Sequence, residues 1–104
     1  MKHDESKLQA ALVKTLRDNG IFCHSCPNDF VRDARAMGTA VTMGLFPGVA
    51  DLVVWWPSGI GYLEVKIPGG KLSTTQVKFK ERCRVNNIRY DVIYSMEDLD
   101  NLIH

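Results

Sequence analysis

The stretch LVVWWPSGIGYLEVKI, from Leu52 to Ile67, constrains the fold more than any other part of the chain. Two β-prone apolar runs, Leu52 to Trp56 and Tyr62 to Ile67, flank the turn residues PSGIG, which is the pattern of a β-hairpin. The second run also carries a carboxylate and an ammonium, Glu64 and Lys66, at its centre. Side chains alternate across a strand, so Tyr62, Glu64 and Lys66 share one face while Leu63, Val65 and Ile67 share the other. One face is then apolar and anchoring, and the other presents paired opposite charges.

The flanking segments supply helices. From Asp4 to about Asn19, Leu8, Leu12 and Leu16 recur at helical spacing with Ala11 and Val13; Asp4 is placed to cap the start and Gly20 the end. IFCHSCP reads as a short strand stopped by Pro27, and the segment from about Phe30 to Met43 as helical in its second half, closing at Gly44. A further strand at Val49 would precede Asp51. After PGGK, Ser73 opens a helix running to about Asn87, RYDVIYS is a strand and MEDLDNLI a short last helix. The strand after the Ser73 helix is most simply joined by a crossover, giving an α/β fold with a small mixed β-sheet flanked by helices. With 104 residues and no repeat or linker, residues 1–104 are expected to form a single domain.

Composition excludes several classes. The chain is 45% hydrophobic and 24% charged, as in ordinary globular proteins. No apolar run is long enough to span a bilayer, and MKHDESKLQ lacks the apolar stretch of a signal peptide, so the expected place is the cytoplasm, with no membrane partner. Three cysteines, Cys23, Cys26 and Cys83, are then expected as free thiols. Cys23 and Cys26 with His24 form at most half a zinc site, because no second ligand pair follows at ordinary spacing; Cys83, at helical spacing from Phe79, reads as core. The formal net charge of +1 conceals an asymmetry: Lys66, Lys71, Lys78, Lys80, Arg82, Arg84 and Arg89 face a single acid, Glu81, between Lys66 and Arg89. Such a sector suits a polyanion, although charge alone is equally compatible with a solvated helix face.

Asp51 begins the first hairpin strand, so the hairpin can bring its side chain beside Glu64. Two carboxylates on a rigid sheet are hard oxygen ligands for Mg²⁺, which retains waters and takes phosphate oxygens as further ligands. Such an ion acidifies water and neutralises charge on phosphorus, and a lysine two residues along the strand can orient or deprotonate the attacking water. Glu-x-Lys is short, and an ordinary charge pair on a half-exposed strand explains most such tripeptides. Here Gly48 stands just before Asp51, and Gln76 lies on the next helix behind the Gly69-Gly70 loop.

These residues resemble the VRR-NUC domains of the PD-(D/E)XK nuclease superfamily, especially the stand-alone phage and bacterial forms. ESKLQAALVKTLRDNG looks like their first helix, GLFPGVADLVVW like the segment with the metal-binding Asp, YLEVK like the Glu-x-Lys strand, and GGKLSTTQ like the loop and helix with the last motif residue. The resemblance implies a restriction-endonuclease-like core of order αβββαβ. It implies that Asp51, Glu64 and the backbone carbonyl of Val65 bind Mg²⁺ or Mn²⁺, with Glu5 as a direct or water-mediated ligand. Lys66 would be the catalytic lysine, and Gln76 would position it or the attacking water. One departure is Ala50, where the family usually has proline before the Asp.

The implied function is a metal-dependent, structure-selective DNA endonuclease, with four-way junctions as one candidate substrate and a homodimer as the acting species. Lys71, Lys78, Lys80 and Arg35 are the candidate phosphate contacts. The rival expectation is a non-catalytic DNA-binding or assembly module on the same fold, against which two close carboxylates argue, since like charges held together cost energy without a cation. Local alternatives stay open for two residues. Ser73-Thr74-Thr75-Gln76 also fits a capping box, and an acid such as Glu5 is favoured in a helix's first turn by the macrodipole alone. Of Trp55 and Trp56, alternation sends one to the core and leaves the other exposed or covered by a second subunit.

Overall fold

The computed structural model describes residues 2–26, 34–44 and 46–104. The elements are α1 (Lys2–Asp18), β1 (Phe22–Ser25), α2 (Ala34–Thr42), β2 (Leu52–Trp56), β3 (Gly59–Val65), α3 (Thr74–Val85), β4 (Arg89–Ile93) and α4 (Met96–Ile103). The strands form one sheet of order β1-β2-β3-β4. β1 and β2, and β2 and β3, pair antiparallel, whereas β3 and β4 pair parallel. The α3 segment is therefore a crossover between parallel neighbours. The order is αβββαβ with α2 inserted after β1 and α4 added at the end, the mixed α/β architecture expected of a restriction-endonuclease-like core.

Each face of the sheet has its own cover. Cys23, Leu52, Val54, Trp56, Leu63, Val65 and Ile93 turn to one face and are buried beneath Leu12 and Leu16 of α1 and Leu99 of α4. On the other face Phe79 and Cys83 of α3 pack with Ala50, Tyr62 and Tyr90. The Phe79 ring meets that of Tyr62 edge-on, with centroids 4.9 Å apart. All three cysteines are free thiols, with Cys83 in this second core as expected.

Several boundaries differ from the sequence expectation. α1 starts at Lys2, so Asp4 lies inside the first turn and does not cap it. β3 starts at Gly59, which shortens the hairpin connection to Pro57 and Ser58, and it ends at Val65 rather than Ile67. The reason is register: Ile60 and Gly59 continue the ladder opposite Trp55 and Trp56, so backbone pairing overrides the turn propensity of glycine. Val49 belongs to no strand; its amide donates to the Phe46 carbonyl in a turn, at 3.1 Å. α3 stops at Val85, where the Asn86 amide returns to Arg82 and Arg84 and Asn87 takes a left-handed φ of 57°. Pro27 and the start of the segment expected from Phe30 lie outside the described residues; the helical part expected there is α2, closing at Gly44.

Candidate active site

Asp51 immediately precedes β2, and its carbonyl accepts from the Cys26 amide at 2.9 Å, which ties it to the end of β1. Its carboxylate reaches across the hairpin and accepts from the Val65 backbone N–H at 2.8 Å. That bond fixes the side chain against the strand that carries Glu64. Glu64 itself is only 2% exposed and is the one buried charged residue among those described. One of its oxygens, Oε2, accepts from Gln76 Nε2 at 3.4 Å, while Oε1 is buried with no partner among the described residues.

The electrostatics follow from this placement. Burial first, then the nearby carboxylate of Asp51, push the Glu64 carboxyl up to about 9; Lys66 opposes the shift and Glu5 adds to it. Lys66 and Glu5 therefore both lie within electrostatic reach of Glu64. Lys66 is half-buried just beyond β3, where its amide still donates to the Ile93 carbonyl at 2.9 Å. The backbone thus holds Lys66 in line with the strand although the strand proper has ended.

Gln76 makes the capping box expected from its sequence context and also reaches Glu64. Its Oε1 accepts from the Ser73 amide at 2.8 Å, and its own amide donates to Ser73 Oγ at 3.3 Å, completing a capping box at the start of α3. With Oε1 committed to the cap, Nε2 is left to donate toward Glu64. One side chain starts the helix and fixes the helix to the carboxylate.

The structure brings together Asp51, Glu64, Val65, Lys66 and Gln76, with Glu5 near enough for its charge to act. Among the described residues no group of three or more His, Cys, Asp and Glu side chains closes around a metal position. What remains is a pair of carboxylates, one of them buried with an unsatisfied oxygen. An ionised carboxylate in that position is costly unless a cation or further donors meet it. Oxygen donors in this arrangement fit a hard divalent cation.

The candidate phosphate contacts are spread more widely. Lys71, Lys78, Lys80 and Arg35 are all exposed, but Lys78 and Lys80, two positions apart on α3, lie on opposite flanks of the helix. The packing role of Gly48 and the place of Tyr90 went beyond the sequence expectation. Gly48 has a φ of 90°, and a Cβ there would collide with the Thr75 carbonyl and lie 2.7 Å from the Gln76 amide nitrogen. The loop before Asp51 therefore packs directly on the α3 turn that bears Gln76. Tyr90, on the same sheet face as Glu64, has a buried hydroxyl without a partner among the described residues. Burial and the charge of Glu64 lead the causes that raise its pKa. Alternation along RYDVI was the available signal for Tyr90; Gly48 stood out by its place before Asp51, but nothing local showed that it would meet α3.

A crossover-joined mixed sheet with a carboxylate pair at the mouth of its hairpin defines an α/β protein with a candidate acidic site. The VRR-NUC domain model matches residues 3–97, and the chain belongs to that family. A solved structure described as a VRR_NUC domain is 24% identical; the match covers 95% of this chain and 92% of that chain with a TM-score of 0.69. No curated protein matches the sequence.

Proposed function

We propose that this protein is a divalent-metal-dependent DNA endonuclease. The observation that carries the reading is Glu64, buried beside Asp51 with an unpartnered carboxylate oxygen. Asp51, Glu64 and the Val65 carbonyl would hold Mg²⁺ or Mn²⁺, with Glu5 contributing through water. Bound there, the ion supplies Lewis acidity, which acidifies water and offsets negative charge building on a phosphate. Lys66 orients the attacking water and stabilises the phosphate oxygens. Gln76 holds the Glu64 carboxylate in place, and the exposed lysines Lys71, Lys78 and Lys80, with Arg35, engage the DNA backbone.

A structure-selective activity on branched DNA, including four-way junctions, follows if two copies act together. Support for a homodimer comes from Phe22, Trp55 and Ile60, which are 52%, 51% and 58% exposed. They are neighbours across β1, β2 and β3, with the Phe22 and Trp55 rings 4.9 Å apart. α3 covers the Tyr62 and Tyr90 side of this face. A second copy seated on the exposed part would exclude water from the rings. Size-exclusion chromatography with light scattering is expected to give a dimer mass that falls to the monomer on Trp55→Ser; a wild-type monomer at assay concentrations would sink the paired-nick reading.

The catalytic reading is tested with labelled duplex, flap and four-way-junction DNA in Mg²⁺, Mn²⁺ or EDTA, beside Lys66→Ala. Metal-dependent cleavage that disappears in the variant is expected. Binding without cleavage in either metal would overturn the enzyme and leave a DNA-binding module.

A further inference from the structure

The site residues leave a second feature unexplained. A groove of about 480 Å³ runs between α3 and β4, lined by Val77, Lys80, Glu81, Arg84, Ile88 and Tyr90. Val77, Lys80, Glu81 and Arg84 form one stripe at helical spacing, and the stripe begins at the residue after Gln76. At about 1.5 Å per residue it extends roughly 10 Å from the site end of α3, which is the reach of one to two nucleotides of an extended strand.

The lining is mixed in a way that a polynucleotide matches. Val77 and Ile88 are 51% and 42% exposed, and with the Tyr90 ring they offer an apolar wall without an occupant among the described residues. Lys80 makes no hydrogen bond or ion pair with any described residue. Glu81, the one acid of the basic sector, is held in an ion pair by Arg84 at the rim, so its charge does not oppose an incoming phosphate as a free carboxylate would. The Tyr90 hydroxyl, like Glu64 Oε1 on the same face of the sheet, is buried without a partner among the described residues. Unpaired bases recognise apolar and aromatic surfaces by stacking, and their phosphates recognise cations. The basic surroundings favour this occupant over a second copy of the same basic surface.

We propose that the α3–β4 groove is a nucleotide subsite that seats one unpaired nucleotide of a DNA strand beside the carboxylate pair, its base against Val77, Ile88 and Tyr90 and its phosphate on Lys80. The inference rests on the nuclease reading and extends it: the site prefers substrates with a single-stranded segment adjoining the scissile phosphate.

The test measures binding in EDTA, so that it does not depend on cleavage. Fluorescence anisotropy compares a labelled DNA hairpin with the same hairpin carrying a short unpaired thymidine tail. The tail is expected to tighten binding by the wild-type protein roughly tenfold, the scale of one stacked base. The Val77→Ser/Ile88→Ser double variant, with its melting curve as a folding control, is expected to lose that advantage while its affinity for the plain hairpin stays within about twofold. Lys80→Ala, a change at an exposed position, is expected to reduce the advantage as well. A wild-type protein that cleaves duplex DNA but shows no preference for the tail overturns the subsite and leaves the nuclease reading intact. The same tail preference in all variants also overturns it. Variants that alter the oligomeric mass and not the tail preference assign the groove to a protein interface instead. A wild-type protein that neither binds nor cleaves any of these DNAs overturns both readings.

Discussion

At Glu64 the folded state holds a proton that the unfolded chain releases. Its carboxyl is pushed up to about 9 from the ordinary 4.5 of a free glutamate, so the stabilisation from this group is complete below the lower value and is lost as pH rises through the upper one. Melting of the metal-free protein is therefore expected to fall between about pH 5 and pH 9, with a limiting slope near 1.4 kcal/mol per pH unit for one proton. Glu64→Gln, which cannot titrate, is expected to flatten that slope; an unchanged slope would show that another group is responsible. Added Mg²⁺ should displace the proton, and its stabilising effect should grow with pH. Gln76 adds a second residue-scale expectation. Gln76→Ala removes both the bond to the Ser73 amide and the bond to Glu64, so it is expected to cost about 1 kcal/mol in urea unfolding and to lower the cleavage rate. Loss of stability with full activity would assign Gln76 to the cap alone.

Between elements, the critical contact is the one between the loop before β2 and the first turn of α3. Gly48 permits it twice over, by its φ of 90° and by the absence of a Cβ that would meet the Thr75 carbonyl. Neither obstacle is a side chain that can rotate away. Gly48→Ala is expected to destabilise the protein by about 2 kcal/mol or more, measured by chemical denaturation. Activity should fall further than the folded fraction does, because Gln76 moves with the displaced turn. Gly20→Ala is the contrasting control: its φ of 74° is also left-handed, yet no atom lies within 4 Å of the added carbon, so a smaller loss confined to stability is expected. The hairpin pairing of β2 and β3 was legible from alternation and turn residues. The meeting of its mouth with α3 was not, because the two segments are distant in sequence and glycine advertises no partner.

For the whole molecule, the expectation concerns charge. The basic residues between Lys66 and Arg89 are distributed over the β3–α3 loop and both flanks of α3, so they form a broad surface and not a single line. If each exposed lysine meets one phosphate, DNA affinity should fall linearly on a log–log plot against salt. Each of Lys71→Ala, Lys78→Ala and Lys80→Ala should then reduce the slope by about 0.9 on duplex DNA. A variant that leaves the slope unchanged is off the duplex path. Salt titration of the four proteins in EDTA, read by anisotropy, would map which flank of α3 faces the duplex.

The sequence by itself determined most of the elements and the residue types of the candidate site. Leucines at helical spacing gave α1, alternation gave the strands, Ser73 gave the start of α3, and two acids with a lysine on a hairpin pointed to a cation and a phosphate. These are local properties, encoded within one turn of helix or one strand. Tertiary structure decided what depends on distant backbone. Ladder pairing to β2 extended β3 back to Gly59, against the turn propensity of its glycines. Packing buried Glu64 and left one oxygen without a described partner. The commitment of Gln76 Oε1 to Ser73 directed Nε2 toward Glu64, so capping and contact with the site became one arrangement. Periodicity shows which face a side chain takes; only the packed fold decides what stands opposite it, because burial and pairing are set by segments far apart in the chain.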